Sequence, residues 1–558
     1  MRGTGYGGSR WGLTEGRLTL ALIVLAYAAV LGVGLVSRGP MIGDEVQHYY
    51  MVVTQAGVLP APNVSAMVPI YGDQTILRYY PHVFLWHYLG SILWRFLWPS
   101  VAVIQVYQSF FYLQLLIAVR LLIRCETRGK VPGAELLGVA VVASLPVTLL
   151  FSVVFYQDVA AVAQLVTALL LFRRGRWLWS AVFLCLAMSL KETVLVAVPG
   201  YLLCVAVLRY GRESRWRAVG RAGIVTAIVV VHTVLAVRVL GSIGFVYHPY
   251  CTAGNQVKAA CGRLGKWWRV PAVAHVEVEQ GPAVIASPAV PIEQRRYDEI
   301  SQSPGDLRHP ANWLIFPGGV FWAVVCAGVL GVVWGRRRAG VAASTAEGAG
   351  GEADSCAWLA GLGVSCVLIT AIQMRTAPDA RFFLPGMLCL LVPFCRWAAV
   401  VPGRRVWLPA LCLIAVLQGG AVLARTCTTR QVPPGVQQAI AYLAAHPPQP
   451  DAVFMYPEGN ARLFPCPHNW YLNYGLRDFW QASNDDRLKI LHKVGLGAIV
   501  IKKYLVSPID PAMNNLGVYP ESFVRDIEGD PRFVRVLDNP DVTIYQVPPE
   551  PARGEGER

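Results

Sequence analysis

Apolar runs of spanning or near-spanning length recur along this chain, at 18–36, 101–123, 136–155, 159–172, 177–190, 193–208, 219–240, 313–334, 356–374, 382–400 and 407–424. No aqueous domain buries so many such runs, whereas a helix of about 20 apolar residues matches the thickness of a bilayer. The pattern predicts an α-helical polytopic membrane protein with about 11 to 13 transmembrane helices. Composition agrees: 55% of the residues are hydrophobic and 15% charged, which excludes an ordinary soluble domain. The first run is long enough to span and no A-x-A-like site follows it, so it is expected to stay rather than be cleaved.

The net charge of +15 does not point to nucleic acid, because the basic residues fall in short clusters between apolar runs. The clusters are Arg2, Arg10 and Arg17; Arg124, Arg128 and Lys130; Arg173, Arg174 and Arg176; Arg209 to Arg221; Arg336 to Arg338; and Arg404 with Arg405. All lie on one side if 81–123 crosses the membrane once, and by the positive-inside rule that side is the cytoplasm. Pro81 to Trp98 then reads as a juxtamembrane or re-entrant segment. The opposite face collects the loop around Asp44, Asp158, Lys191 and Glu192, the loop 241–312, Arg381 and everything after 424.

Four segments follow: a cytoplasmic N-terminal segment (1–17), a membrane domain (18–424), an extracytoplasmic α/β domain (430–550) and a polar tail (551–558). A Gly/Ala/Glu-rich stretch, 339–355, reads as a cytoplasmic linker. In the last domain, strand-like runs occur at Asp451–Tyr456, Ala498–Ile501, Phe533–Leu537 and Val542–Val547, the last two joined by the turn signal Asp538-Asn539-Pro540-Asp541. Helical patterns fit Val436–His446 and Asp485–Val494. Cysteines are scattered without metal-ligand spacing. Cys251 and Cys261 share one long loop and Cys427 and Cys466 sit near or in the last domain; these are available for disulfides if they face an oxidising compartment, with no pairing fixed by the sequence.

Carboxylates beside membrane segments are costly and are the first candidates for chemistry. Asp44 and Glu45 follow the first run; Asp44 fits either a helix cap for Val46–Ala56 or a reactive group. Asp158 fits either an N-cap for a helix starting at Val159 or a second acid on the same face. Lys191 with Glu192 interrupts apolar sequence and is either a self-neutralising pair or a phosphate contact. Arg78, Tyr80 and His82 combine a cation, an aromatic belt residue and an imidazole. Arg381 begins a run on the face that usually lacks cations, where a guanidinium suits a phosphate. No P-loop, G-x-S-x-G, H-E-x-x-H or dinucleotide fingerprint is present, and no metal ligand set is evident.

In order, Gly43-Asp44-Glu45-Val46-Gln47-His48-Tyr49-Tyr50, Tyr80-Pro81-His82-Val83-Phe84-Leu85, Tyr156-Gln157-Asp158 and Arg381-Phe382-Phe383-Leu384-Pro385 resemble the motifs of the GT-C superfamily of integral-membrane glycosyltransferases. The likeness is to the branch holding bacterial aminoarabinose transferases and protein O-mannosyltransferase relatives. His82 stands where a second proline is usual.

The resemblance implies an inverting transfer of a sugar from a polyprenyl or dolichyl phosphate donor to a hydroxyl of a lipid, glycan or protein, on the extracytoplasmic face and most naturally of a bacterial inner membrane. It makes Asp44 the base, with Glu45 orienting it or the acceptor. Asp158 then positions the acceptor or a divalent cation, a cofactor in which family members differ. Arg381, Lys191 and Arg78 hold the donor phosphate, with Tyr80, His82 and Glu192 in support. The alternative is a transporter or flippase of a lipid-linked sugar, which calls for paired broken helices and repeat symmetry that the sequence does not show.

Overall fold

The computed structural model describes residues 8–36, 45, 48–49, 52–53, 56, 85–129, 131–208, 213–240, 357–373, 380–398, 404–429, 432–455, 463–466, 477–508 and 519–549. Asp44, Arg78, Tyr80, His82, Cys251, Cys261, the run 313–334, the linker 339–355 and the polar tail lie outside these residues, as does the side chain of Glu192.

Each of the other ten apolar runs is helical: α1 (Gly8–Val36), α3 (Val101–Thr127), α4 (Ala134–Ser144), α5 (Pro146–Val153), α6 (Asp158–Arg173), α7 (Trp177–Leu190), α8 (Val198–Val207), α9 (Arg215–Leu240), α10 (Ala357–Gln373), α11 (Leu384–Ala398) and α12 (Arg404–Thr429). Short 3-10 turns, Glu192–Ala197 and Ala380–Phe383, precede α8 and α11. Four helices among the described residues are long and apolar enough to cross a bilayer, or five if α4 and α5, bent by 56°, form one span. The bend follows from Pro146 at the first turn of α5 with extended Leu145 before it. Shorter apolar stretches are Trp177–Leu190, Thr193–Val207, Ala357–Thr370 and, within α12, Pro409–Ala424.

Helix direction sorts the charges. Gly16 in the first half of α1 accepts a hydrogen bond from Arg120 near the end of α3 (3.5 Å), while Gln105 at the start of α3 packs on Gly34 near the end of α1. These two helices are therefore antiparallel. α6 and α7 form a hairpin through Arg174–Arg176, so Lys191 emerges at the Asp158 end.

Trp358, at the start of α10, packs its ring on Phe172 at the far end of α6 (5.7 Å), and the close pair Gly363 and Gly386 fixes the return of α11. Arg381 consequently also lies at the Asp158 end. The opposite end carries ion pairs: Arg173 with Glu126 (2.8 Å), Arg120 with Glu135 (3.1 Å) and Arg221 with Glu213 (2.6 Å). Arg221 also donates to the carbonyls of Val205 and Leu208, which satisfies acceptors that the end of α8 leaves open.

Between α1 and α3 lies α2 (Leu85–Phe96), a helix of 12 residues, about 18 Å long and too short to span. It buries Trp86, His87, Gly90 and Ser91 and exposes Phe96, as the following turn does Leu97 and Trp98. Before it, the helical residues Glu45, His48, Tyr49, Val52, Val53 and Ala56 fall at i, i+3, i+4, i+7, i+8 and i+11, the spacing of one helix face. That face docks on α2: Ser91 Oγ donates to the Val52 carbonyl (2.7 Å) and Arg95 to that of Ala56 (3.3 Å).

After α12 the chain builds α13 (Pro434–Ala445), α14 (Arg477–Gln481), α15 (Asn484–Val494) and α16 (Glu521–Glu528) around a sheet. Strands β1 (Val453–Met455), β2 (Ala498–Lys502), β5 (Val534–Asp538) and β6 (Val542–Gln546) are ordered β1-β2-β6-β5; β1 pairs parallel to β2 and the rest are antiparallel. A two-residue pair, β3 (Val506–Ser507) and β4 (Tyr519–Pro520), stands apart. Side chains alternate along β2: Ala498 and Val500 face the cluster holding Val436, Ala439 and Leu443 of α13, whereas Ile499 and Ile501 face Phe479, Trp480, Leu491 and Phe523.

Ser483 caps α15 by accepting from Asp486 N (3.2 Å), and Gly495 ends it at φ 74°. Asn539 Oδ1 accepts from the backbone N–H groups of Asp541 and Val542, which closes the β5–β6 turn. On this domain's surface the Arg532 guanidinium holds the Asp530 carboxyl down at about 2.

Candidate active site

The break between α5 and α6, Val154 to Gln157, is where the candidate residues meet. A break between helices leaves backbone donors and acceptors unpaired, and in an apolar bundle side chains must satisfy them. Glu45 Oε1, fully buried, accepts from the backbone N–H of Phe155 (3.1 Å). Gln108 of α3 donates to the carbonyls of Phe151 (2.6 Å) and Tyr156 (2.7 Å) and accepts from Trp86 Nε1 (3.0 Å). Gln105 donates to the Ser152 carbonyl (3.2 Å). Two glutamines thus hold the break, and Gln108 ties it to α2 as well.

The side chains on this frame are polar and enclosed. His48 and His87 stack at 5.1 Å between ring centroids, with His48 Nδ1 2.9 Å from His87 Nε2. Gln157 Nε2 is 3.1 Å from His87 Nδ1. The His48 ring meets Tyr156 edge-on at 5.3 Å, and the Arg381 guanidinium lies 5.0 Å from the same Tyr156 ring, 5.6 Å from Phe151 and 5.0 Å from Phe382.

Asp158 is the first residue of α6 and 2% exposed, and neither carboxylate oxygen accepts a hydrogen bond among the described residues. The N-cap alternative for Asp158 fails: Gln157 occupies the cap position, and no side chain caps this helix. Asp158 instead sits in the first turn, where the positive end of the helix dipole favours a carboxylate.

Glu45, Asp158 and Arg381 thus converge on one break. Lys191, 1% exposed, lies at a second break at the same end of the bundle, between α7 and the 3-10 turn that opens with Glu192. Among the described residues no group of three or more His, Cys, Asp or Glu is arranged to hold a metal ion.

His87 and Gln108 carry no signal of their own in the sequence motifs, whereas Gln157 stands in Tyr156-Gln157-Asp158, a polar helix end suited to lining a cavity. Spacing is a signal all the same: Gln105 and Gln108 interrupt the apolar run 101–123 at a spacing that puts both on one helix face, and His48 lies one turn beyond Glu45. Gln108→Leu should leave two carbonyls and an indole N–H buried without partners, a cost on the order of 3 kcal/mol or more. A thermal melt of the purified protein in detergent is expected to show a clear fall in midpoint; an unchanged midpoint would show that the break is held elsewhere.

The ALG3 protein family matches residues 68–247, well under half of the chain. Among curated proteins no sequence matches. Solved structures do. ArnT from Cupriavidus metallidurans in the apo state superposes with a TM-score of 0.55 at 12% identity, over 95% of this chain and 99% of that one. The chain has the GT-C fold. The same ArnT bound to undecaprenyl phosphate gives 0.54 at 11%, over 96% and 99%. The archaeal oligosaccharyltransferase AglB from Archaeoglobus fulgidus, in complex with an inhibitory peptide and a dolichol-phosphate, gives 0.53 at 12%, over 92% and 72%.

Proposed function

We propose that this protein is an inverting glycosyltransferase that moves a sugar from a polyprenyl-phosphate donor to a hydroxyl of a lipid, glycan or protein acceptor. The observation that carries the reading is the buried grouping of two carboxylates, Glu45 and Asp158, with the Arg381 guanidinium at one helix break of a GT-C fold. The site faces the extracytoplasmic side in this reading, which the arginine clusters at the opposite end, Arg124 with Arg128 and Arg173, Arg174 with Arg176, support through the positive-inside rule. The lipid tail of the donor stays in the bilayer, which about 11 to 13 crossings would enclose on several sides. The α/β domain after α12 lies on the same side and holds the acceptor. The match to ArnT over nearly its whole length favours a bacterial inner membrane.

The chemistry divides by charge. The acceptor hydroxyl needs a base, the role of Asp44. The leaving group is a phosphate that departs with its own negative charge, so it needs cations rather than a general acid. Arg381 supplies one at the site; Lys191 and Arg78 are assigned the same role, with Tyr80, His82 and Glu192 in support. Glu45 holds the break and orients Asp44 or the acceptor, and Asp158 positions the acceptor or a divalent cation. Purified protein in lipid nanodiscs, given a panel of undecaprenyl-phosphate hexoses and pentoses, is expected to consume one of them in the presence of an envelope lipid extract. Consumption of none, with transport of one across a sealed vesicle, would replace this reading by a flippase.

A further inference from the structure

We infer that the acceptor is itself a membrane lipid, its hydroxyl carried on a headgroup of the outer leaflet rather than on a protein or a soluble glycan. The class of acceptor rests on the glycosyltransferase reading; the depth from which it follows does not. Three helices measure that depth. Each has arginine at its cytoplasmic end: Arg173 is the last residue of α6, Arg176 holds the N-cap position of α7, and Arg396 lies in the last turn of α11. Their other ends carry Asp158, Lys191 and, in the turn before α11, Arg381.

Fifteen residues separate the arginine from the opposite charge in every case. That is a rise of about 23 Å, against a hydrocarbon layer of about 30 Å. All three charges therefore stop about 7 Å short of the outer edge of the hydrocarbon, and a tilted helix leaves its end deeper still.

α3 gives the same depth from outside the bundle. Counting about 20 residues, one crossing, back from exposed Arg124 puts the outer edge near Ile104. Gln108, which holds the break, is then about 6 Å inside that edge. At its level α3 turns Val106 and Phe110 outward, 46% and 56% exposed, side chains that suit acyl chains. Beyond the edge stand Phe96, Leu97 and Trp98, also exposed, at the headgroup level where aromatic residues gather.

The headgroup layer adds about 6 Å, so the charges lie about 13 Å below the aqueous surface. A serine or threonine hydroxyl stands one carbon from its backbone. A protein acceptor would therefore have to thread its chain inward, about four extended residues down and as many back, each with backbone groups to satisfy inside the bundle. A soluble glycan would shed water from its hydroxyls on the way. A lipid brings its headgroup hydroxyl to this layer already, held by its own tails. The lipid's hydroxyl oxygen then bonds to the anomeric carbon, and the bond from that carbon to the phosphate oxygen breaks with its electron pair left on the phosphate. The hydroxyl proton goes to the carboxylate base, and the products are a glycosylated lipid and the polyprenyl phosphate.

Two measurements on the full-length protein test depth and acceptor separately. Aspartate is too short to reach back to the headgroups, so it reads depth on the outward face of α3. Ala102→Asp, beyond the edge, should leave the yield of folded protein in the membrane within about twofold, whereas Phe110→Asp, about 9 Å inside, should lower it about tenfold, with Val106→Asp between them. Phe110→Leu controls for packing and should match the unaltered protein. Equal tolerance of all three aspartates would place the break outside the hydrocarbon and overturn the inference.

For the acceptor, protein in lipid nanodiscs receives the panel of labelled undecaprenyl-phosphate sugars and one of three acceptor pools. These are an envelope lipid extract within the disc, the same extract stripped of its lipid tails and added in buffer, and soluble envelope protein. Label should enter the disc lipids and fall at least about 100-fold with the stripped extract, since confinement to one membrane no longer raises the local concentration. Label on protein, or on the stripped headgroups at a comparable rate, overturns the inference and leaves the transferase standing. Donor left intact with all three pools would remove the acceptor and the glycosyltransferase reading together, while a graded aspartate series would keep the depth of the charges.

Discussion

Replacing Asp44 by Asn is expected to abolish sugar transfer, with a fall in kcat of about 10²- to 10⁴-fold, the range spanned by a positioned general base. The carboxamide keeps the size of the carboxylate, so membrane insertion and abundance should hold. The control is the neighbouring acid. Glu45 uses Oε1 to accept from Phe155 N, and a glutamine Oε1 accepts equally well, so Glu45→Gln is expected to lose far less than Asp44→Asn. Glu45→Ala removes the acceptor, loosens the break before Asp158 and should lower both stability and rate. Single-turnover transfer with a labelled lipid-phosphate sugar, beside thermal melts, separates the cases. Full activity in the Asp44 variant would sink its assignment as the base, and equal losses at both acids would mean that the pair acts as one structural unit.

The sequence disclosed more of the scaffold than of the site, and the reason is physical. Hydrophobic runs and arginine clusters are one-dimensional signals, so the helices and the end of the bundle that gathers Asp158, Lys191 and Arg381 could be read from spacing and sign. The β5–β6 hairpin was equally legible, because Asn539 announces the turn that its side chain then closes.

The 56° bend between α4 and α5 was not read, although Pro146 marks it, because an uninterrupted apolar run looks like one span. The helix Glu521–Glu528 escaped notice because its eight residues carry only two buried positions, Phe523 and Ile527. At the site, Glu45, Asp158 and Arg381 were found as charges out of place. The buried amides at the break where they gather, Gln108 and Gln157, carry no charge. A buried amide inside an apolar run is an equally costly residue, and its partners are two backbone carbonyls in one case and an imidazole in the other. Those partners are 43 to 70 residues away, which no local pattern reports.

Arg381→Lys is expected to lower kcat/KM by about 10²-fold although the charge is kept, and Arg381→Met by about 10³-fold, the range measured when one preorganised donor to a developing anion is removed. The difference comes from the box around the guanidinium. Phe151, Tyr156 and Phe382 lie 5.0 to 5.6 Å from its carbon, and such planar faces hold a planar cation, each contact worth about 0.5–2 kcal/mol. An ammonium has no plane to stack and seeks water instead, so it cannot be held in the same direction. The loss should appear in the Kd for undecaprenyl phosphate as well as in the rate. A lysine variant with unaltered Kd and rate would show that charge alone is required, and that the aromatic box is packing rather than part of phosphate recognition.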